Sequence, residues 1–96
     1  MNSFDLNFLK PAVKTILNHI PNAKIFLFGS RANGNFTENS DADIAIKGEH
    51  KIDLETIAKI KMDLEELNIN FKIDIIDYNS VSENFRKIID ESSIEL

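Results

Sequence analysis

Apolar residues recur along this chain with two periods, one typical of helices and the other typical of strands. Three segments repeat an apolar residue every three or four positions, which places one apolar face on a helix. These helical segments are residues 11–20, residues 53–67 and a last helix that opens near Ser80. Three other segments are short and apolar or alternate with a period of two, as half-buried strands do. These strand segments are residues 24–28, 41–47 and 71–77.

The order of these elements is helix, strand, strand, helix, strand, helix, which predicts an α/β fold with a small mixed β-sheet and helices packed on it. The residues at the predicted helix ends agree with that order. Pro11 suits a first helical position, and Asp53 suits an N-cap, with Asn68 ending the same helix. Ser80 and Glu83 have the spacing of a capping box, which would open the last helix. Its apolar stripe would consist of Val81, Phe85, Ile88 and Ile89.

Length and composition fit one domain that spans residues 1–96. Apolar residues make up 43% of the chain, and none of their runs approaches the roughly 20 residues that cross a bilayer. The first residues lack the basic-then-apolar order of a signal peptide, and cysteine is absent, so we expect a cytoplasmic protein. The net charge of −5 argues against an extended nucleic-acid surface, because such surfaces are basic.

Three aspartates stand inside the predicted strands, among apolar neighbours. Asp41 and Asp43 are two residues apart on one strand, so both side chains leave the same face. Asp74 lies in the middle of the next strand, and the three carboxylates converge if the two strands are neighbours. Converging carboxylates repel one another unless cations lie among them. Oxygen ligands without histidine or cysteine indicate Mg²⁺ or Mn²⁺, and such clusters hold the two metal ions of phosphoryl-transfer enzymes.

A glycine–serine turn follows the first predicted strand. Gly29 permits a close approach of the backbone that a side chain would forbid. Ser30 is predicted to cap a short helix whose amides and hydroxyl face an anion, and Arg31 adds a positive charge beside it. A phosphate chain held at this turn would reach metal ions held by the three aspartates. Gly29, Ser30 and Arg31 are therefore the candidate nucleotide-binding residues.

Each of these features taken singly has an ordinary explanation. An isolated Asp-x-Asp is usually a solvated strand edge, and an isolated Gly-Ser is usually a turn. Gly29 and Gly34 have the spacing of a phosphate-binding Walker loop, but Asn35 and Phe36 stand where that loop needs lysine and then serine or threonine. It is the combination of the turn, the Asp-x-Asp pair and a third strand aspartate that favours a functional site.

This combination resembles the signature of polymerase-beta-type nucleotidyltransferases, which runs from an apolar strand through Gly-Ser and Asp-x-Asp to a later strand aspartate. More narrowly, LFGSRANG, SDADIAI and KIDIIDY resemble the minimal nucleotidyltransferases of the MNT group. Proteins of that group are short stand-alone domains that often pair with an all-helical HEPN protein as a toxin–antitoxin system. The resemblance covers nearly the whole chain and implies the polymerase-beta-like palm fold.

Carried over by position, the family pattern puts Gly29 and Ser30 at the nucleotide phosphates. It makes Asp41 and Asp43 ligands that two Mg²⁺ ions share. It makes Asp74 the third carboxylate, which helps to activate the attacking hydroxyl. The resemblance thus implies ATP as the substrate and both catalytic and metal-binding roles for the same three aspartates.

The function that this resemblance implies is transfer of AMP from ATP to a hydroxyl, with a tyrosine of a HEPN-type toxin as acceptor and the chain as antitoxin. Two alternatives stay open: a non-catalytic module that neutralises its partner by covering it, and a nucleotidyltransferase that modifies a small molecule. Family members commonly read Gly-Ser-Arg-Ala-Arg-Gly, whereas Asn33 replaces the second arginine here, so this chain lacks one cation of the family pattern.

Overall fold

The computed structural model describes residues 4–96 and contains the six predicted elements in the predicted order, with a short helix after the first strand and a short strand after the last helix in addition. The helices are α1 (Lys10–His19), α2 (Ser30–Asn33), α3 (Leu54–Glu65) and α4 (Glu83–Ser92). The strands are β1 (Lys24–Phe28), β2 (Ala42–Lys47), β3 (Ile73–Asp77) and β4 (Ile94–Glu95). Short 3₁₀ turns at Leu6–Leu9 and Tyr78–Ser80 precede α1 and follow β3. No helix within residues 4–96 has the length and apolar character needed to cross a membrane.

The strands form one mixed sheet in the order β3-β2-β1-β4. β1 pairs antiparallel with β2 and with β4, whereas β2 and β3 run parallel. Parallel neighbours need a crossover connection, and α3 supplies it between β2 and β3. The predicted α/β fold with a small mixed sheet is therefore confirmed, and β3 is one of the two outer strands of the described sheet.

The sheet carries apolar clusters on both faces, because the side chains of β2 alternate between them. Ala42, Ile44 and Ile46 are fully buried in the main core, which includes residues of α1 and α3. Ala45 is fully buried in a smaller cluster that includes Ile89 of α4. The strand that carries a candidate aspartate is thus packed from both sides, and this packing specifies its register.

Two strands begin later than the sequence pattern suggested. The first predicted strand is confirmed at residues 24–28, but β2 starts at Ala42 and leaves Asp41 in the loop before it. β3 starts at Ile73 rather than at residue 71. The first backbone hydrogen bond between these strands is the one that the N–H of Ala42 donates to the carbonyl of Lys72 at 2.8 Å. The alternation of apolar and polar residues begins before this bond, so the sequence predicted strands that start too early.

The ends of the helices test the predicted caps. The cap of α3 is confirmed, since the carboxylate of Asp53 accepts a hydrogen bond from the N–H of Thr56 at 2.7 Å. The predicted capping box at Ser80 is wrong, because the hydroxyl of Ser82 caps α4 and accepts from the N–H of Phe85 at 3.2 Å. The hydroxyl of Ser80 instead donates to the carboxylate of Asp77 in β3, and Ser80 lies outside the helix.

The apolar stripe of α4 is narrower than the predicted one. Ile89 is buried and Phe85 is half-buried, but Ile88 is 56% exposed and Val81 lies before the helix. The short strand Ile94–Glu95 has no counterpart in the prediction, because two residues are too few to display a period. It forms by pairing with β1, which is a tertiary interaction.

Candidate active site

The parallel pairing of β2 and β3 places two of the three candidate aspartates side by side. Asp43 and Asp74 are register partners in this pair. Asp43 is also the register partner of Phe28, the last residue of β1. Asp41 lies in the loop that leads into β2, two residues before Asp43. The structure therefore brings Asp43 and Asp74 together as the sequence predicts, with Asp41 at the end of the adjoining loop.

Gly29 follows directly on β1 and turns the chain against Asp43. Its φ of 76° lies in the left-handed region that favours glycine. A Cβ atom at this position would collide with the Oδ2 atom of Asp43. The turn and the carboxylate are therefore in contact, and a residue with a side chain would force them apart.

The predicted capping role of Ser30 is wrong, because Gly29 is the N-cap of α2 and Ser30 is its first helical residue. The left-handed backbone of Gly29 makes the reversal at the end of β1, so the helix begins one residue later. Ser30 remains at the turn with a half-buried side chain, next to the glycine that contacts Asp43.

The carboxylate of Asp43 carries an unfavourable charge. Its side chain is half-buried, whereas Asp41 and Asp74 are exposed. Burial raises the pKa of Asp43, and the negative charges of Asp74 and Asp41 raise that pKa further. The ion pairs formed within residues 4–96 all lie elsewhere, so none of them neutralises this carboxylate. The group is therefore one that a bound cation would stabilise.

A group of carboxylates without a basic partner is the donor set that Mg²⁺ and Mn²⁺ prefer. As the side chains stand, no three His, Cys, Asp or Glu residues among 4–96 close around one point as a complete metal site would. Mg²⁺ does not require such a cage, because it commonly binds one or two carboxylates and completes its coordination with water and substrate phosphates. Asp43 and Asp74, with Asp41 nearby, fit an open site that a nucleotide would complete.

Arg31 is buried, and the predicted contact with the nucleotide has to be corrected. Its side chain is 5% exposed, and its guanidinium lies 4.0 to 5.0 Å from the centres of three phenyl rings, those of Phe4, Phe36 and Phe71. Its N–H groups donate to backbone carbonyls of residues 37–40. A cation enclosed by rings and bonded to the chain itself is a structural group, so the positive charge at the turn does not face an incoming phosphate.

No sequence pattern indicated the three rings around Arg31. Phe4 precedes α1, Phe36 follows α2 and Phe71 precedes β3, so the rings come from three distant segments. The available signal was the composition, because the chain has seven phenylalanines in 96 residues and the predicted helices and strands do not account for all of them. Composition alone does not show which rings meet.

The contact between Gly29 and Asp43 predicts how two glycines differ. Gly29→Ala places alanine at φ 76° and ψ −156°, a backbone region open essentially only to glycine, and adds a collision, whereas Gly34→Ala, at φ 90° and ψ 0°, meets only the milder left-handed penalty. We expect Gly34→Ala to lower the free energy of unfolding by about 1–2 kcal/mol and Gly29→Ala by at least about 1 kcal/mol more. Urea unfolding measures both values, and equal losses would contradict the extra cost assigned to the backbone and the contact at Gly29.

The burial of Asp43 and the negative charges beside it predict a pH-dependent gain in stability when this carboxylate is removed. Because the pKa of Asp43 is raised in the folded protein, its charge destabilises the fold above that pKa, and this effect vanishes below the unfolded value of about 3.9. Without divalent ions at neutral pH, Asp43→Asn should therefore raise the free energy of unfolding by up to about 1 kcal/mol. This gain in stability should disappear in acid. Glu49→Gln, which neutralises an exposed carboxylate, is the control and should show no gain. A loss at neutral pH would contradict the account.

Comparison with known proteins assigns the family. The model of the family described as Polymerase beta, Nucleotidyltransferase matches residues 4–96. A relative in Haemophilus influenzae, named "Probable protein adenylyltransferase MntA", is 36% identical over 78 residues, which cover 80% of this chain and 68% of that protein.

Two solved structures share the fold. One is a toxin–antitoxin structure with AMP-PNP, with a TM-score of 0.75 and 24% identity over 96% of this chain and 72% of that chain. The other is a tri-AMPylated Shewanella oneidensis HEPN toxin in complex with MNT antitoxin, with a TM-score of 0.68 and 23% identity over 94% of this chain and 68% of that chain. The carboxylate pair, the glycine turn and the family match agree, and this chain belongs to the polymerase beta nucleotidyltransferase family.

Proposed function

We propose that this chain is an antitoxin that transfers AMP from ATP to a tyrosine hydroxyl of a HEPN-type toxin, with Mg²⁺ as its cofactor. One observation carries the proposal: the turn at Gly29 is in contact with Asp43, and Asp74 is the register partner of Asp43 across the strand pair. Nucleotidyl transfer requires the phosphates, the metal ligands and a proton acceptor to lie side by side. These residues satisfy that requirement on one edge of the sheet.

In this proposal the residues divide into those that hold ATP and those that meet the acceptor. Gly29 and Ser30 hold the phosphates that leave as pyrophosphate, and Asp41 and Asp43 are the principal metal ligands. Mg²⁺, when bound, neutralises the carboxylates and the charge that develops on the phosphates, and two such ions would share the site. Burial, and after it the negative charges of Asp74 and Asp41, raises the pKa of Asp43, so a bound cation would stabilise its carboxylate.

In this proposal Asp74 is the carboxylate that meets the acceptor. It is exposed on the outer strand β3, and it lines a cleft of about 500 Å³ together with Lys61 and Lys72. A larger cavity of about 920 Å³ beside Arg31 contains none of the three aspartates, so we assign the acceptor to the smaller cleft.

The transfer is a single displacement at phosphorus. The acceptor oxygen attacks the α-phosphorus of ATP and passes its proton to the carboxylate of Asp74. A bond forms between the acceptor oxygen and the α-phosphorus, and the bond from that phosphorus to the bridging oxygen breaks. Pyrophosphate leaves past the turn at Gly29, and AMP remains on the acceptor.

The choice of a HEPN-type toxin as the acceptor protein rests on the relatives, whereas tyrosine as the modified residue rests on the family resemblance. MntA of Haemophilus influenzae is named a protein adenylyltransferase, and the Shewanella oneidensis structure pairs an AMPylated HEPN toxin with an MNT antitoxin. ATP as substrate is supported by the fold neighbour that contains AMP-PNP. A cytoplasmic location follows from this function, because both ATP and an intracellular toxin are available there.

A second candidate function is neutralisation of the toxin by binding alone. The observation in its favour is Asn33, which stands where family members commonly have an arginine. Asn33 is exposed, and its Oδ1 atom accepts a hydrogen bond from the N–H of Asn35 at 2.9 Å, so it shapes the turn after α2. Without the second cation the site could bind ATP too weakly for efficient transfer. A nucleotidyltransferase for a small molecule is a third candidate, and no contact among residues 4–96 favours it.

Intact masses decide between these functions. The chain is mixed with a HEPN-type toxin, ATP and Mg²⁺, and the intact mass of each protein is measured by mass spectrometry. We expect the partner to gain about 329 Da for each AMP, together with one negative charge for each tyrosine modified. Asp41→Ala combined with Asp43→Ala should abolish the gain, and Asp74→Ala should abolish it while retaining most of the affinity for Mg²⁺–ATP.

Glu49→Ala is the matched control, because it removes an exposed carboxylate from the bend after β2 and should leave the transfer unchanged. If the partner loses its toxicity on binding and its mass does not change, the chain acts by covering the toxin. If only a small-molecule hydroxyl is modified, the third function is the correct one.

A further inference from the structure

The loop between α2 and β2, residues 34–41, has no regular structure, yet it ends at Asp41. A local turn closes part of it, because the N–H of Thr37 donates to Oγ of Ser40 at 2.9 Å and the N–H of Ser40 donates to the carbonyl of Thr37 at 3.1 Å. These bonds shape the turn formed by residues 37–40. They do not attach that turn to the rest of the molecule.

Arg31 makes the attachment. Its Nε atom donates to the carbonyl of Ser40 at 3.0 Å, and its Nη2 atom donates to the carbonyls of Thr37 and Glu38 at 3.3 and 3.4 Å. Within the described part of the chain, no side chain from outside the loop except Arg31 is hydrogen-bonded to the 37–40 turn. Ser40 directly precedes Asp41, so the strongest of these bonds lies one residue from a proposed metal ligand.

The aromatic rings hold the guanidinium in place. Its nearest ring, that of Phe71, belongs to the segment that leads into β3, at a distance of 4.0 Å. Cation–π contacts offset part of the cost of burying a guanidinium, and its hydrogen bonds to carbonyls offset more. Burial lowers the pKa of Arg31 and the charge of Asp41 raises it, which places Asp41 within electrostatic reach of the guanidinium.

Asp41 has little else to fix its position. Its side chain is exposed, and it takes no part in the ion pairs formed within residues 4–96. Its backbone is anchored on one side by β2 and on the other by the 37–40 turn. If the turn were released, Asp41 would move while Asp43 and Asp74 stayed in their strand pair.

We propose that Arg31 is a positioning residue that fixes the 37–40 turn and thereby holds Asp41 in place for binding Mg²⁺–ATP. This inference rests on the proposed function for the identity of the nucleotide and for the role of Asp41 as a metal ligand. Arginine is required because its planar fork donates to several carbonyls at once while its faces lie against the rings. Lysine keeps the charge but has a compact ammonium that does neither.

Arg31→Lys tests the inference, and Arg86→Lys is its matched control. Arg86 has the same chemistry elsewhere, since its guanidinium donates to the carbonyls of Tyr78 and Asn79 at 3.1 and 3.0 Å and lies 5.7 Å from the ring of Tyr78. Calorimetric titration of the chain with Mg²⁺–ATP should show about tenfold weaker binding for Arg31→Lys. Arg86→Lys should bind within about twofold of the wild type.

Hydrogen exchange and a double-mutant cycle separate positioning from general destabilisation. Arg31→Lys should accelerate exchange at the amides of Ser40 and Ala42, and Arg86→Lys should not. In the Asp41→Ala background, Arg31→Lys should change the affinity for Mg²⁺–ATP by less than about twofold, because a positioning residue has nothing left to position. If Arg31→Lys fails to fold, Phe71→Leu is the substitute variant. It removes one of the three rings around the guanidinium and keeps the hydrogen bonds of Arg31, so we expect a smaller loss of affinity for Mg²⁺–ATP.

Three results would each overturn the inference. Arg31→Lys could leave the affinity for Mg²⁺–ATP unchanged, or the two lysine variants could lose the same affinity. In the Asp41→Ala background, Arg31→Lys could weaken binding as much as it does in the wild type. Its failure is distinguishable from failure of the proposed function. A wild-type chain that binds Mg²⁺–ATP but leaves the HEPN-type partner unmodified refutes the transfer, and the positioning role is still measured by binding.

Discussion

The register between β2 and β3 is the constraint on which the rest of the site depends. It sets Asp43 directly opposite Asp74, an arrangement of like charges that opposes the pairing of the strands by up to about 1 kcal/mol. A slip of one residue would separate them, but it would also turn Ile44 and Ile46 out of the main core, where both are fully buried. Burial of each such side chain is worth about 1.5–3 kcal/mol, so packing decides the register and the carboxylates are held together against their repulsion.

The far end of β3 is secured by another carboxylate. Asp77 is buried, and it accepts hydrogen bonds from the N–H of Ile52 at 2.8 Å, from the N–H of Asn79 at 3.0 Å and from the hydroxyl of Ser80 at 2.7 Å. These bonds tie the strand to the segment before α3 and to the 3₁₀ turn that follows. The two ends of β3 thus differ in a functional way: the carboxylate at its far end is satisfied by the chain, and Asp74 near its start leaves room for a cation and a substrate.

The features that the sequence predicted correctly depend on neighbours along the chain. The strand at 24–28, the Asp53 cap and the placement of Asp43 beside Asp74 follow from periodicity, short-range hydrogen bonding and the adjacency of two strands. The errors concern residues whose environment is assembled from distant segments. Arg31 has the charge of a phosphate ligand, but rings from three separate segments enclose it. Similarly, β4 forms only because β1 is there to pair with it.

The central claim is that the turn at Gly29 and the strand pair form one metal–nucleotide site, and paramagnetic NMR tests it most directly. Mn²⁺ added in trace amounts with ATP broadens the signals of nuclei near the ion it replaces. The account predicts that broadening centres on the amides of Gly29, Asp43 and Asp74, requires ATP for full effect and is lost in Asp43→Asn. Broadening centred on another acidic surface, such as α4, or broadening that Asp43→Asn leaves intact, would contradict it.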